Sequence, residues 1–354
     1  MRPEIISKAL APSPLAHRLM QLTAPLCTAA AHKLADAYGA LNDAKNAQLR
    51  DNFALAFPHL GEPELAALVK RHRRSTFHSE LERRQLDVMP RAHLRDYLQT
   101  RIEIEGGEHL RAACESPDPV VLFTPHYGSF AVGVMRTIME VDRFRPISLF
   151  YESPETNPTT YMYKGLMERL GCNSHVLYND RTAVLKGLRA LKQGHVLGIM
   201  PDVFEYNMSL MYVPFFGRLT VAMGGTAFFA LKAKARLIPG YCWRRGRGRF
   251  TLKYGAPIEL SRTGDMDEDI FRTTARIFAN IQEQLTAAPE HWVYWDTLCD
   301  RMGYGAEVEL PRERGAWRAQ FARLRGELAT GGSNLGRYLR AFEAQLTGDE
   351  SSKA

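Results

Sequence analysis

The chain has 354 residues, of which 45% are hydrophobic and 24% charged, and its formal net charge is +7. This is the composition of an ordinary globular protein with a sizeable core, and its basic clusters favour acidic partners such as phospholipid headgroups or an acidic carrier protein. No nucleic-acid-binding module accompanies the clusters, and no segment reaches the ~18–20 apolar residues of a membrane span. The scattered cysteines argue against a structural zinc site and against a disulfide framework.

The N-terminal region, residues 1–100, is predicted to be helical and to pack on the core. Its Ala- and Leu-rich stretches carry apolar residues at a spacing of 3.6, and Phe57-Pro58 and Gly61-Glu62-Pro63 interrupt them. We expect an α/β core over residues 101–303 and a C-terminal amphipathic helical extension over residues 304–354.

The core region alternates between apolar strand candidates and helical stretches. Strands are predicted at Ile102–Ile104, Val120–Phe123, Ile147–Tyr151, Val196–Met200, Leu237–Trp243 and Phe250–Tyr254. Helices are predicted at Glu108–Ala113, Ala131–Glu140, Thr160–Leu170, Ala183–Lys192 and Gly225–Lys234. This order indicates βαβ units, and hence an α/β fold with a mostly parallel central sheet flanked by helices.

The C-terminal extension shows two apolar stripes at helical spacing. They are separated by Gly331-Gly332-Ser333-Asn334, which can end one helix and cap the next. The stripes consist of Trp317, Phe321, Leu324 and Leu328, followed by Leu335, Leu339, Phe342 and Leu346. We expect a helical hairpin that packs on the core or, alternatively, docks a partner or a membrane.

One histidine follows a buried strand directly. The strand Val120–Phe123 runs into Thr124-Pro125-His126-Tyr127-Gly128, which places the imidazole at the carboxyl edge of the sheet. Open α/β sheets keep their ligand sites at this edge. A neutral imidazole can accept a proton from an attacking hydroxyl or amine, so His126 is a candidate general base. The alternative is a histidine that only hydrogen-bonds a loop.

Several further motifs occur with His126 in a distinctive order. They are Arg50–Pro58, Gly106–Leu110, Gly194–Asp202, Val213–Gly217, Gly224–Pro239 and Ala288–Trp295. Together they resemble the late acyltransferases of bacterial lipid A synthesis, within the lysophospholipid and glycerophosphate acyltransferase superfamily. The resemblance extends over roughly residues 50–300. It implies transfer of a fatty acyl group from an acyl carrier protein or coenzyme A thioester to a lipid or sugar hydroxyl.

The resemblance also implies a catalytic motif of His, four residues, and then Asp or Glu. His126 would be the general base, but the acidic position falls on Ala131. Glu152 stands where the family commonly has an arginine that meets a phosphate. We expect the strand ending at Glu152 to neighbour the strand before His126, so that Glu152 could replace the lost acid. Asp202, after Pro201, is the other candidate.

Other residues near these motifs are predicted to bind substrate. The Gly128 and Ser129 amides, at a helix start, could face a developing oxyanion. Tyr127 and Phe130 could line the acyl groove or simply pack in the core. The segment Phe215-Phe216-Gly217 could shape a loop beside the groove or be structural.

Three functions follow from the missing acid. An amine needs less help from a base than an alcohol does, so Ala131 favours an acyltransferase with an amine or other non-standard acceptor. The alternatives are a catalytically degenerate scaffold that binds an acyl chain or carrier protein, and an ordinary lipid O-acyltransferase with a relocated carboxylate. We expect no metal or cofactor, a cytoplasmic location, and peripheral contact with the inner membrane as an open alternative.

Overall fold

The computed structural model describes residues 31–37, 42–203, 210–216, 218–246 and 248–298. The predicted hairpin at residues 304–354 and the predicted site residue Gly217 lie outside these ranges. The described part of the N-terminal region is helical, as predicted: residues 31–37 are helical, and α1 (Asp43–Ala56), α2 (Glu62–Val88) and α3 (Arg91–Arg101) follow.

Local chemistry explains the bounds of the long helix α2. Pro63 stands in its first turn, where a missing backbone N–H costs nothing. The Glu64 side chain accepts a hydrogen bond from the Gly61 N–H at 2.8 Å and so satisfies a donor that the helix leaves open. The helix ends before Met89-Pro90, because a residue that precedes proline disfavours the helical region.

The α/β part begins directly after α3. Its strands are β1 (Ile102–Glu105), β2 (Val120–Phe123), β3 (Ile147–Tyr151), β4 (Ser174–Tyr178), β5 (Val196–Ile199), β6 (Leu210–Phe215), β7 (Arg218–Met223), β8 (Arg236–Gly246) and β9 (Arg249–Tyr254). Its helices are α4 (Gly107–Glu115), α5 (Phe130–Val141), α6 (Thr159–Leu170), α7 (Ala183–Lys192), α8 (Gly225–Ala233) and α9 (Met266–Ala287). Two short 3₁₀ segments, Pro289–His291 and Val293–Thr297, follow α9. None of the helices in the described ranges has the length and hydropathy needed to cross a membrane.

The central sheet has seven strands in the order β1-β9-β8-β2-β5-β3-β4. All neighbouring pairs are parallel except β8 and β9. This confirms the predicted α/β fold with a mostly parallel sheet flanked by helices. The strand β4 and the separate antiparallel pair β6–β7 were not predicted.

The strand β5 lies between β2 and β3. The expectation that the strand ending at Glu152 neighbours the strand before His126 is therefore wrong. The carboxyl ends of β2, β5 and β3 nevertheless meet at one edge of the sheet, and their loops carry His126, Asp202 and Glu152 respectively. Apolar clusters cover both faces of the sheet, so this edge is where polar chemistry can reach the core.

Candidate active site

The pairing of β2 with β5 brings His126 and Asp202 together. Phe123, the last residue of β2, pairs with Ile199, the last residue of β5. His126 and Asp202 each follow three residues later, so they leave adjacent parallel strands at the same level. The imidazole Nδ1 lies 2.9 Å from Asp202 Oδ1, which is hydrogen-bonding distance.

Three donors among the described residues hold the Asp202 carboxylate. Besides the ring nitrogen, the backbone N–H of His126 donates to Asp202 Oδ2 at 2.8 Å, and the Trp292 indole N–H donates to the same oxygen at 2.9 Å. Asp202 is only 1% exposed, so it is a buried carboxylate that these donors stabilise. A carboxylate only accepts, which assigns the proton of neutral His126 to Nδ1 and leaves the Nε2 lone pair as the basic site.

The backbone after His126 is fixed by contacts with distant segments. Gly128 has φ of +53°, and a Cβ there would lie 2.6 Å from the Cys242 carbonyl oxygen, so this position requires glycine. The Gly128 N–H donates to the His291 carbonyl at 2.7 Å, and the Ser129 N–H donates to the Cys242 carbonyl at 3.0 Å. Both amides are thus committed within the protein. This corrects their assignment as oxyanion donors.

The residues that follow α9 pack against the loop that carries His126. The Val293 N–H donates to the His126 carbonyl at 2.9 Å, and Tyr127 forms an isolated antiparallel bridge with Trp292. Helix α2 supports this segment: His72 Nδ1 lies 3.1 Å from the Glu290 carbonyl oxygen, and the Ser75 hydroxyl lies 2.8 Å from His291 Nδ1. The site therefore depends on contacts between β2, β5, α2 and residues 290–293.

Burial of His72 predicts a loss of stability in acid. Desolvation lowers the pKa of His72 from 6.5 to about 4, although its hydrogen bond to the Glu290 carbonyl opposes the shift. The unfolded chain therefore binds a proton that the folded protein excludes, so stability falls as the pH drops from 6.5 towards 4. The full linkage amounts to about 3 kcal/mol. In urea unfolding at several pH values, His72→Asn should flatten this dependence, and His59→Asn, at an exposed position, should not. An unchanged slope in His72→Asn would contradict the assignment.

A cavity of about 570 Å³ opens beside His126. Helix α5 contributes Phe130, Ala131, Val134 and Thr137 to its lining, and apolar strand residues such as Leu122 and Leu149 contribute much of the rest. The His126 ring packs edge-on against Phe130 and Tyr294, at centroid distances of 5.0 and 4.9 Å. A base with a free Nε2 thus borders a largely apolar cavity of the size that small-molecule sites have.

Comparison with known proteins assigns the sequence of this chain to a family. Residues 15–297 match the profile of the bacterial lipid A biosynthesis acyltransferases. The chain belongs to this family. It is also similar to a lipid A biosynthesis acyltransferase of Haemophilus influenzae, with 24% identity over 200 residues. That match covers 56% of this chain and 59% of the relative's length, so less than two thirds of the relative is represented.

Ala131, on α5, lines the cavity beside His126. Ala131 is buried, so this position contributes no carboxylate to the site. Asp202 supplies a carboxylate to the same imidazole from the adjacent strand. Glu152 also lines the cavity, but it lies two strands from β2.

The other predicted site residues divide between the cavity and the core. Phe130 lines the cavity, whereas Tyr127 is fully buried in the core, where its hydroxyl accepts a hydrogen bond from Gln284 Nε2 at 3.0 Å. Phe215 and Phe216 are also buried and pack on Phe278, Trp292, Trp295 and Phe57. Of the two interpretations given for Tyr127 and for Phe215-Phe216, their positions correspond to the structural one.

Sequence reasoning gave no role to Trp292 or Tyr294. Both lie in the segment Ala288–Trp295 that carries part of the family resemblance, and that segment was the signal that could have pointed to them. Helix α2 was not connected with the site either, although Ser79, Glu80 and Arg83 line the cavity. Across the described part of the chain, no three His, Cys, Asp or Glu side chains converge as metal ligands.

Proposed function

We propose that this chain transfers an acyl group from a carrier-protein or coenzyme A thioester to an acceptor hydroxyl, with His126 as general base and Asp202 as its orienting carboxylate. The observation that carries the proposal is the 2.9 Å contact between His126 Nδ1 and Asp202 Oδ1 beside the apolar cavity. A positioned base with an orienting acid is the arrangement that activates a weak nucleophile.

The chemistry balances with these two side chains. His126 Nε2 takes the proton of the acceptor hydroxyl as its oxygen attacks the thioester carbonyl carbon. Asp202 stabilises the imidazolium that forms. The tetrahedral intermediate then breaks its C–S bond, and the thiolate takes the proton back from Nε2, which releases a thiol and an ester. The acyl chain is held in the cavity beside Phe130 and Val134.

The choice of acceptor follows from Asp202. The amine acceptor was favoured because Ala131 leaves the base without an acid, but Asp202 supports a base strong enough for a hydroxyl. The relocated carboxylate therefore favours O-acylation over the other two interpretations. Two predictions are supported by the net charge of +7. One is peripheral contact with a membrane, and the other is a donor thioester that is attached to an acidic carrier protein.

The test is acyl transfer by the purified chain. The donors are acyl-carrier-protein and acyl-coenzyme A thioesters of several chain lengths. The acceptors are alcohols of neutral, cationic and phosphorylated classes, together with simple amines. We expect acceptor-dependent thiol release and an ester product by mass spectrometry. Binding of thioester without transfer to any acceptor would overturn the proposal in favour of the degenerate scaffold.

A further inference from the structure

The carboxylate of Glu152 lines the cavity without a protein partner. Glu80 and Glu152 are the two carboxylates that the described ranges contribute to the lining. Glu80 is occupied, because it accepts a hydrogen bond from Arg83 Nε at 2.7 Å and another from Arg84 Nε at 2.8 Å. No ion pair or side-chain hydrogen bond joins Glu152 to any residue that the structure describes. A half-buried carboxylate beside an apolar cavity is partly desolvated, and a ligand cation could pair with it.

The backbone of Glu152 is held in place. Glu152 directly follows β3, and its carbonyl accepts a hydrogen bond from the hydroxyl of buried Thr160 at 3.0 Å. The preceding residue, Tyr151, is tied to the next loop by the Asn179 N–H, which donates to its carbonyl at 2.8 Å. The carboxylate is therefore presented from a fixed element at the cavity wall.

The separation of Glu152 from the base shows what it can do. Because β5 lies between β2 and β3, the two strands are about 10 Å apart at a strand spacing of about 4.8 Å. No hydrogen bond or ion pair joins Glu152 to His126, which already has its carboxylate in Asp202. The separation suits one acceptor molecule that spans both groups.

The cavity wall offers aromatic surface to a cation. Tyr163 lines the cavity and packs against Tyr151, which also lines it, at a centroid distance of 5.3 Å. Tyr294 and Phe130 flank the His126 ring at the other end. Aromatic rings attract an ammonium group through their negative faces and tolerate its alkyl part.

We propose that the acceptor carries a protonated amine that binds Glu152 while a separate hydroxyl of the same molecule reaches His126. The acceptor class is thus an amino alcohol or amino sugar that is acylated on oxygen. The amine serves for binding and is not the nucleophile. This inference rests on the proposed function for the transfer step, but the binding of the amine can be measured without turnover.

The test uses three probes that share one alkyl chain and one free hydroxyl: an amino alcohol, its N-acetyl derivative and an analogue with a phosphate in place of the amine. At neutral pH the wild type should bind and acylate the amino alcohol in preference to the other two. Glu152→Gln should raise KM for the amino alcohol about 10- to 100-fold, the loss expected for a hydrogen bond to a charged group, and leave KM for the thioester unchanged. Glu152→Arg should prefer the phosphorylated probe in calorimetric binding.

The matched control is Glu155→Gln, which removes an exposed carboxylate three residues away that does not line the cavity. It should behave as the wild type. Equal use of the amino alcohol and its N-acetyl form, or an unchanged KM in Glu152→Gln, would overturn the inference while leaving the proposed function intact. Acylation on nitrogen would overturn both. If no probe is acylated, the proposed function fails, and calorimetric binding of the amino alcohol to wild type and Glu152→Gln still decides the role of Glu152.

Discussion

Replacing His126 by alanine is expected to slow acyl transfer by about 10²–10⁴-fold, the usual contribution of a positioned general base. The physical reason is that no other described group offers a basic lone pair at the mouth of the cavity with a carboxylate behind it. Asp202→Asn should cost a similar factor, because an amide can no longer stabilise the imidazolium or hold its tautomer. Both changes should act on kcat and leave KM for the thioester nearly unchanged.

His126 and Asp202 act as a unit, so the double variant His126→Ala with Asp202→Asn should be hardly slower than His126→Ala alone. The measurement is thiol release under saturating substrate, with thermal unfolding recorded for each variant. The control is Asp118→Asn, which removes a half-exposed carboxylate that pairs with Arg236 at 2.9 Å, far from the cavity lining. Full activity of a folded Asp202→Asn variant would show that the contact to His126 is only structural. Multiplying losses in the double variant would show that the residues act separately.

A second large effect is expected from Arg244→Gln, which should destabilise the fold by about 3–5 kcal/mol. The Arg244 Nε donates to Glu82 Oε1 at 2.6 Å, and Glu82 is 2% exposed. Burial raises the pKa of Glu82, and Arg244 and the Ser129 hydroxyl oppose that shift. Without its arginine, the carboxylate must be buried unpaired or take up a proton, and either outcome costs folding energy. Because Ser129 directly precedes α5, the loss should also disturb the loop that carries His126.

Arg245, the residue after Arg244, provides a matched control. Arg245 pairs with Glu103, and both side chains are more than half exposed, so Arg245→Gln should cost about 0–1 kcal/mol. Replacing both members of the buried pair, as Glu82→Gln with Arg244→Gln, should recover part of the stability, because no charge is then left unpaired. Chemical denaturation with a linear extrapolation would compare the four proteins. Equal costs for Arg244→Gln and Arg245→Gln would show that the buried pair has no special weight.

Local sequence patterns predicted the strands that consist of a short, mostly apolar run. The strands β2 and β3 were predicted with the bounds that the structure shows, because each is a short apolar run bounded by turn residues. The strand β4 was missed because it lies at the edge of the sheet and its residues are only partly buried, so its sequence, Ser-His-Val-Leu-Tyr, lacks a continuous apolar run.

The candidate site was less predictable, because it depends on which strands are neighbours. His126 could be placed at the carboxyl edge from its own strand, but the partner of its imidazole depended on the position of β5 between β2 and β3. Asp202 therefore stood beside Glu152 as an open alternative. The amides of Gly128 and Ser129 were assigned to an oxyanion because they lie at a helix start. Their acceptors, His291 and Cys242, lie more than 100 residues away along the chain. No local pattern indicates such contacts.

The bonds from residues 291–293 to the loop at His126 also bear on synthesis of the chain. When the ribosome has translated residue 202, both His126 and Asp202 are part of the nascent chain, but the Trp292 indole and the Val293 amide that hydrogen-bond them are still to come. Because domains fold as units, the site can be completed only after residue 293 has emerged. A nascent chain that stalls before residue 293 would carry both side chains without the bonds that hold them.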